Sequence, residues 1–467
     1  MIETLKKRWI GDRSFYTAVM AVALPIMAQS LITNFVNMLD NIMVGQVGTL
    51  PMSGVSISNQ LIFIFNLAMF GTVAAVGIFS AQFAGRKDWA GVKNCLWLKL
   101  IACALLTAAG MAVLLFLGED LAALYMDSSV NDPADIALTM GFSRTYILIM
   151  LGGLPAFACA QCLASTMKES GETLVPMRAS FLAVGVNFVF NWLLIFGHFF
   201  FPKMGIAGAA LATVISRWVE LAYLAIAARI SSERFPFFAD MTKDVHISSS
   251  LVKEVMMKGT PLILNEVLWS MGVAATAQCY STRGLDAVAA FNIANTVTSL
   301  FFIINIAMGN TIAILIGQKL GAQEEEEAVD MDRKLIVLSV VLSVTFGLVM
   351  AGLASLFPSL YNTSDTVRAT AASLIRICGL LMGNGAFYNS AYFTLRSGGK
   401  TVITFLFDSV FTCTVSFGLA FVLSRYTQMT LPQLYLCVQL ADILKSVIGL
   451  WLVEKKVWVH NLVAASA

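Results

Sequence analysis

ALPIMAQSL, residues 23–31, returns as GTPLILNEV at residues 259–267, 236 positions later. The offset holds outward from there. Gly48 falls on Gly284, Asn59 on Asn295, Gln82 on Gln318 and Gly85 on Gly321, so SAQFAGRKD at 80–88 repeats as IGQKLGAQE at 316–324. Further along the offset shortens to 228: Lys168 falls on Arg396, Gly171 on Gly399 and Thr173 on Thr401, and MKESGET at 167–173 reads again as LRSGGKT at 395–401. The chain is built as two similar halves.

What the halves are made of follows from composition. Of 467 residues, 58% are hydrophobic and 12% charged, with a mean hydropathy of +0.79. A water-soluble chain of this length must solvate its outside, whereas in a bilayer lipid is the solvent for the outer face. A spanning helix needs about 20 mostly apolar residues. Such runs lie near 16–44, 53–80, 95–117, 136–166, 176–200, 205–230, 255–281, 287–316, 334–357, 368–395, 402–424 and 432–454. The fold class expected is therefore an all-α integral membrane protein with twelve transmembrane helices in two six-helix lobes. An even number of spans per half keeps both halves in one orientation, as parallel repeats. The expected boundaries are 1–230 for the first lobe, 231–253 for a polar cytoplasmic linker and 254–467 for the second lobe.

Charge placement gives the orientation. Lys6, Lys7, Arg8 and Arg13 precede the first run, which is too long for a signal peptide. With that end inside, the alternating inner segments collect Arg86, Lys87, Lys93, Lys99, Lys168, Arg178, Arg229, Arg234, Lys243, Lys253 and Lys258, then Lys319, Arg333, Lys334, Arg396, Lys400, Lys455 and Lys456. Outer segments collect little beyond Lys203, Arg283, Arg368 and Arg425, and the acidic stretch with Glu119, Asp120, Asp127, Asp132 and Asp135 falls outside. Basic residues accumulate on the cytoplasmic side, so both termini are expected inside a plasma-membrane protein. The net charge of +2 points to no nucleic-acid partner.

Eight cysteines, including Cys159 and Cys162, lie mostly in apolar runs, where cysteine acts as a small hydrophobe. His198, His246 and His460 are far apart, and no metal, nucleotide or catalytic motif is visible. No cofactor is expected, and a membrane enzyme, which would need a cluster such as paired histidines, is disfavoured.

Taken together, LP at 24–25, LDNIMVGQVG at 39–48, SAQFAGRKD, MKESGET, FNWLLIFG at 190–197, GIAGAALAT at 205–213 and GQKLGAQ at 317–323 resemble the multidrug and toxic compound extrusion (MATE) family, in that order and over nearly the whole chain. The resemblance implies a two-lobe efflux antiporter driven by entry of H+ or Na+, with small drug-like cations as frequent cargo.

An ionisable side chain at membrane depth is costly and is a functional candidate by default. Asp40 is the foremost. Asn37 and Thr33 precede it by three and seven residues, on one helical face, with Asn34 and Asn41 extending the stripe. Such a stripe faces a partner helix or a wet cavity. A carboxylate there can exchange a proton, or with an amide oxygen such as that of Asn37 ligate sodium, and cationic cargo would compete with either.

Pro25, about four turns before Asp40, reads either as a mid-helix hinge or as a harmless first-turn proline. Asn187 and Asn191, four apart, match family positions lining the first-lobe cavity, though some members carry an acid at the second. They also fit plain interhelical hydrogen bonding. Glu266 reads as a second coupling carboxylate or as half of a structural pair with Arg376. Asn34, Asn59, Gln60, Asn295 and Asn384 are expected along the substrate cavity.

Arg217–Glu220 and Asp442–Lys445, each three apart, read as intrahelical ion pairs. Asp408 reads as structural, and Glu324–Glu327 as a solvated loop. The rival transport reading is a flippase for a lipid-linked saccharide precursor, which would carry several basic residues in its cavity to hold pyrophosphate. A monomer bound to small-molecule cargo and to lipid is the expected state.

Overall fold

The computed structural model describes residues 9–125, 132–230, 235–239, 241, 245–361 and 363–463. Lys6, Lys7, Arg8, Asp127, Arg234 and Lys243 of the charge reading lie outside the described residues, as does the side chain of Asn37.

The described residues are helical and contain no strand. The long helices are α1 (Arg13–Gly45), α2 (Thr49–Gly85), α3 (Trp89–Phe116), α4 (Pro133–Leu151), α5 (Leu154–Glu169), α6 (Leu174–Phe196) and α7 (Ile206–Ile230). The second half follows with α8 (Ser249–Ser281), α9 (Leu285–Gly321), α10 (Glu325–Gly352), α11 (Asp365–Ser397), α12 (Thr401–Tyr426) and α13 (Leu431–Glu454). The repeat seen in sequence sets helix length. α1 and α8 both have 33 residues, α2 and α9 both 37, α3 and α10 both 28.

Among the described residues, eleven helices are long and apolar enough to cross a membrane. Two expected spans differ from that simple picture. The run 136–166 is two helices, α4 and α5, broken at Gly152–Gly153. Pro155 stands in the first turn of α5, where its missing N–H is harmless, while continuing the helix through it would crowd the carbonyl of Leu151. The other is α8, which is long enough but carries Lys253, Glu254, Lys258, Asn265 and Glu266. Large apolar side chains stand exposed along the helices, among them Leu105 at 69% and Phe116 at 77%, as lipid-facing positions require.

The chain divides into two compact units, one of residues 1–27, 81–87 and 253–467, the other of residues 28–80 and 88–252. The first is packed on an apolar core with Met308, Ile312, Ile316 and Leu320 of α9, Leu335 of α10 and Leu395 of α11. In it the repeat-equivalent segments Gln82–Gly85 and Gln318–Gly321 meet backbone to backbone. A Cβ on Gly85 would stand 1.9 Å from the carbonyl oxygen of Gln318, and one on Gly321 would stand 1.9 Å from that of Gln82. The contact is reciprocal between repeat-equivalent residues and leaves room for hydrogen only.

In the second unit α5 is tied to α3 by a buried ion pair, Lys99 Nζ to Glu169 Oε2 at 2.5 Å, with Ser165 and Thr166 completing the ammonium's contacts. Residues 235–239 and 241 lie along α3: Phe235 and Phe237 are buried, and Trp97 Nε1 donates to the Met241 carbonyl at 2.7 Å.

Two local readings are corrected. Glu325, Glu326 and Glu327 form the first turn of α10, not a loop; negative charge is favourable at a helix N-terminus, and Lys319 bridges Glu324 and Glu327 at 2.5 and 2.6 Å. Lys445 does not pair with Asp442 on its own helix. It reaches Asp408 of α12 at 2.5 Å, and Asp442 accepts from Ser416 at 3.0 Å.

Candidate functional site

A cavity of about 350 Å³ opens within the unit formed by residues 28–80 and 88–252, and Asp40 stands on its wall. α1 supplies Thr33, Val36 and Asp40 to that wall at helical spacings, with Gln29 one turn earlier on the same face. Thr33 folds its hydroxyl back onto the Gln29 carbonyl at 2.8 Å, which removes a polar group from competition for the cavity.

α6 faces this stripe with two asparagines. Asn191 donates from Nδ2 to Asp40 Oδ1 and also to Asn187 Oδ1 at 3.1 Å, and Asn187 Nδ2 donates to Thr213 Oγ1 at 3.2 Å. A polar line thus runs from the carboxylate across α6 to α7. Both asparagines are buried, at 8% and 1% exposure, because their spacing of four turns them to the same inner face. The amide oxygen of Asn191 is buried with no hydrogen-bond partner among the described residues.

A second line lies beside the first. Gln29 Nε2 donates to Ser180 Oγ at 2.7 Å, Ser180 donates to Glu220 Oε1 at 3.0 Å, and Arg217 donates to Glu220 Oε2 at 3.1 Å. The Arg217 guanidinium also stacks over Phe157, 5.1 Å from the ring centroid. Sequence spacing correctly pairs Arg217 with Glu220, but it does not show that both line the same cavity as Asp40. Gln29, Ser180, Thr213 and Tyr146 are functional candidates that the sequence reading missed. The signal available was Gln29, which extends the stripe of Thr33 and Asp40 by one further turn.

The other expected residues are placed as follows. Asn59 lines the cavity. Asn34 and Gln60 are exposed and do not, because their helix positions turn away; Asn34 Nδ2 is spent on the Ser30 carbonyl at 2.9 Å. Asn37 is three residues before Asp40 on α1.

Asn295 is exposed on α9, and Asn384 on α11 accepts from Ser446 at 2.6 Å; both belong to the other unit, as does Glu266. Glu266 is half-buried on α8, with Arg396 and Asp408 as the charges acting on it, while Arg376 donates to Ser355 at 2.5 Å instead of pairing with it. Its neighbour Asn265, unremarked in the sequence reading, is the buried residue of that turn. Pro25 lies inside α1, twelve residues past Arg13, and Pro261 lies twelve past Ser249 inside α8. The first-turn reading of Pro25 is therefore replaced by a mid-helix one.

Comparison with known proteins bears on the family and the fold. A probable multidrug resistance protein NorM of Thermotoga maritima is 24% identical over 416 residues, covering 88% of this chain and 86% of the relative. One from Halalkalibacterium halodurans is 26% identical over 356 residues, 74% of each chain.

Among solved structures, an outward-facing multidrug resistance MATE family transporter of the MOP superfamily superposes with a TM-score of 0.84 at 18% identity, over 94% of this chain and 95% of that one. A MOP superfamily transporter from Pyrococcus furiosus Vc1 does so with a TM-score of 0.82 at 17% identity, over 97% of both. At that identity the likeness is one of fold. The MatE family model matches residues 25–193 and 261–423, once in each half, beginning at the two repeat prolines and covering more than half of the sequence. With the family model matched twice in register with the internal repeat, the chain belongs to the MATE family of multi-pass membrane transporters.

Proposed function

We propose that this protein is a secondary antiporter of the cell membrane that exports small, often cationic, amphiphilic compounds in exchange for protons or sodium ions by alternating access, with Asp40 as the exchange site. The observation that carries the reading is the Asn191 amide beside Asp40. Its nitrogen serves the carboxylate, and its oxygen is left buried and unmatched among the described residues. An unmatched buried acceptor costs about 1–3 kcal/mol and calls for an explanation. A proton on Asp40 gives that oxygen a donor once the amide turns over, and a sodium ion satisfies it in another way, by taking it as a ligand together with the carboxylate. Cationic cargo competes for the same carboxylate, so loading the cation displaces the cargo.

Several features support the cargo class. The cavity volume lies in the range that holds drug-sized ligands. The relatives are named as probable multidrug resistance proteins. The flippase alternative wants several free basic groups; of the described residues lining this cavity only Arg217 is basic, and Glu220 already holds it.

Pro25 supplies a hinge in this cycle. It removes one backbone hydrogen bond inside α1, and the division into two units falls between Met27 and Ala28, two residues later. The inward bias of basic residues supports an orientation with both termini in the cytoplasm.

The test is transport in proteoliposomes with proton and sodium gradients imposed separately, comparing the wild type with Asp40→Asn. The variant is expected to insert and fold but to lose gradient-driven export. Full export by Asp40→Asn would remove Asp40 from the mechanism, and transport by the wild type that ignores both gradients would favour a facilitator or flippase.

A further inference from the structure

The repeat allows one half of the protein to be read against the other. Gln29 on α1, Ser180 on α6 and Glu220 on α7 form a hydrogen-bonded line. Moved by the two repeat offsets, Gln29 becomes Asn265 on α8 and Ser180 becomes Asp408 on α12. Glu220 and Lys445 are each the fifteenth residue of their helices, α7 and α13. The equivalent line is formed in the second half. Asn265 Nδ2 donates to Asp408 Oδ2 at 3.1 Å and Lys445 Nζ donates to Asp408 Oδ1 at 2.5 Å. The three helix positions and their connectivity are retained, but the carboxylate has moved to the middle position and an ammonium stands at the last.

The surroundings of that ammonium are those of a ligand. Lys445 is 3% exposed. Its Nζ stands 4.8 Å from the ring centroid of Tyr388, 5.6 Å from that of Phe407 and 5.9 Å from that of Phe411. Rings turned on a cation with a carboxylate to close the shell are how proteins recognise organic ammonium groups in general. The backbone of α12 is shaped to present them. Phe407 and Asp408 lie in a π-helical turn, Leu406–Val410, a second such turn spans Thr412–Ser416, and Phe411 stands between the two. Turns of this kind are rare and concentrate at functional sites. The choice of partner points the same way, since Lys445 bypasses Asp442 one turn away on its own helix to enter the cage.

We propose that the unit containing α8–α13 holds a built primary-ammonium site, an aromatic cage closed by Asp408, whose occupant is the protein's own Lys445. The lysine is a tethered cation that keeps this site filled and closed to exchange. The proposal concerns the unit without Asp40 and stands whatever Asp40 does.

Truncation at Cβ empties the cage by four atoms, which n-propylammonium replaces. Lys445→Ala is expected to lower the melting temperature of the detergent-purified protein by about 6–20 °C, as loss of one partner of a buried pair does. n-Propylammonium should restore at least half of that loss in a saturable manner. 1-Propanol, of the same shape without charge, should not, and neither the wild type nor Asp408→Asn/Lys445→Ala should respond to the amine. Absence of saturable rescue, equal rescue by 1-propanol, or equal rescue of the double variant would each overturn the proposal. If Lys445→Ala does not survive purification, fluorescence-detected size exclusion of detergent extracts prepared with amine, with 1-propanol or with neither reads the same rescue on the same criteria.

Discussion

Arg217→Met tests whether the second polar line of the cavity is held by its ion pair. The Glu220 side chain is 6% exposed and that of Arg217 35%. The carboxylate has Arg217 on one oxygen at 3.1 Å and Ser180 on the other at 3.0 Å. Methionine keeps the apolar stem against Phe157 but leaves a buried carboxylate with a single hydroxyl donor. Removing one partner of a fully buried pair costs about 3–5 kcal/mol. Arg217 is more than a third exposed, so solvent already screens part of the attraction and the loss belongs nearer about 2–3 kcal/mol.

For a cooperative unit of this size each kcal/mol moves the melting temperature by about 2–4 °C, which puts Arg217→Met about 5–10 °C below the wild type. Replacing both partners should be much milder: Arg217→Met/Glu220→Gln is expected within about 1 kcal/mol of the wild type, because the uncompensated charge is gone. Tryptophan-fluorescence melting of the wild type, both single variants and the double in one detergent gives the full cycle. A single variant melting within about 2 °C of the wild type, or a double variant as unstable as Arg217→Met, would refute the reasoning.

The remaining predictions concern the repeat contact and the helix bend. Gly321→Ala drives a methyl into the Gln82 carbonyl and should destabilise by about 3 kcal/mol, near the upper end of overpacking costs. Gly418→Ala, with nothing within 4 Å of the new methyl, should instead stabilise by about 0.5–1 kcal/mol through helix propensity. Thermal melting of the two variants must give opposite signs. Pro25→Ala restores a backbone donor inside α1 and should leave melting unchanged or slightly raised while slowing gradient-driven export in proteoliposomes; unimpaired export would take Pro25 out of the cycle.

How much was legible beforehand differs between backbone and site. The repeat offset of 236 read from Pro25 and Pro261 reappears as equal lengths in three pairs of helices, because helix ends follow local signals that both halves share. Asp40, Asn187, Asn191 and Asn59 were readable as cavity candidates because each adds a polar group to an otherwise apolar span, and all four are gathered at or beside one cavity. Asn34, Gln60 and Asn295 carry the same signal and face elsewhere. Composition places a polar group at membrane depth without giving its direction about the helix axis.

The amino-acid sequence by itself determined an all-helical, duplicated membrane protein and where most of its apolar spans lie, since apolar run length and repetition are properties of neighbours along the chain, whereas the interior position of Pro25 came from the structure. Only the tertiary structure decided which polar groups share a cavity, that Lys445 reaches α12 instead of its own helix, and that Gln29 and Asn265 anchor equivalent lines of opposite charge order. The reason is the solvent. Lipid and helix interior are both apolar, so burial fixes the length of a spanning helix but hardly its rotation, and the rotation is set by the few hydrogen bonds and ion pairs that packing brings within reach.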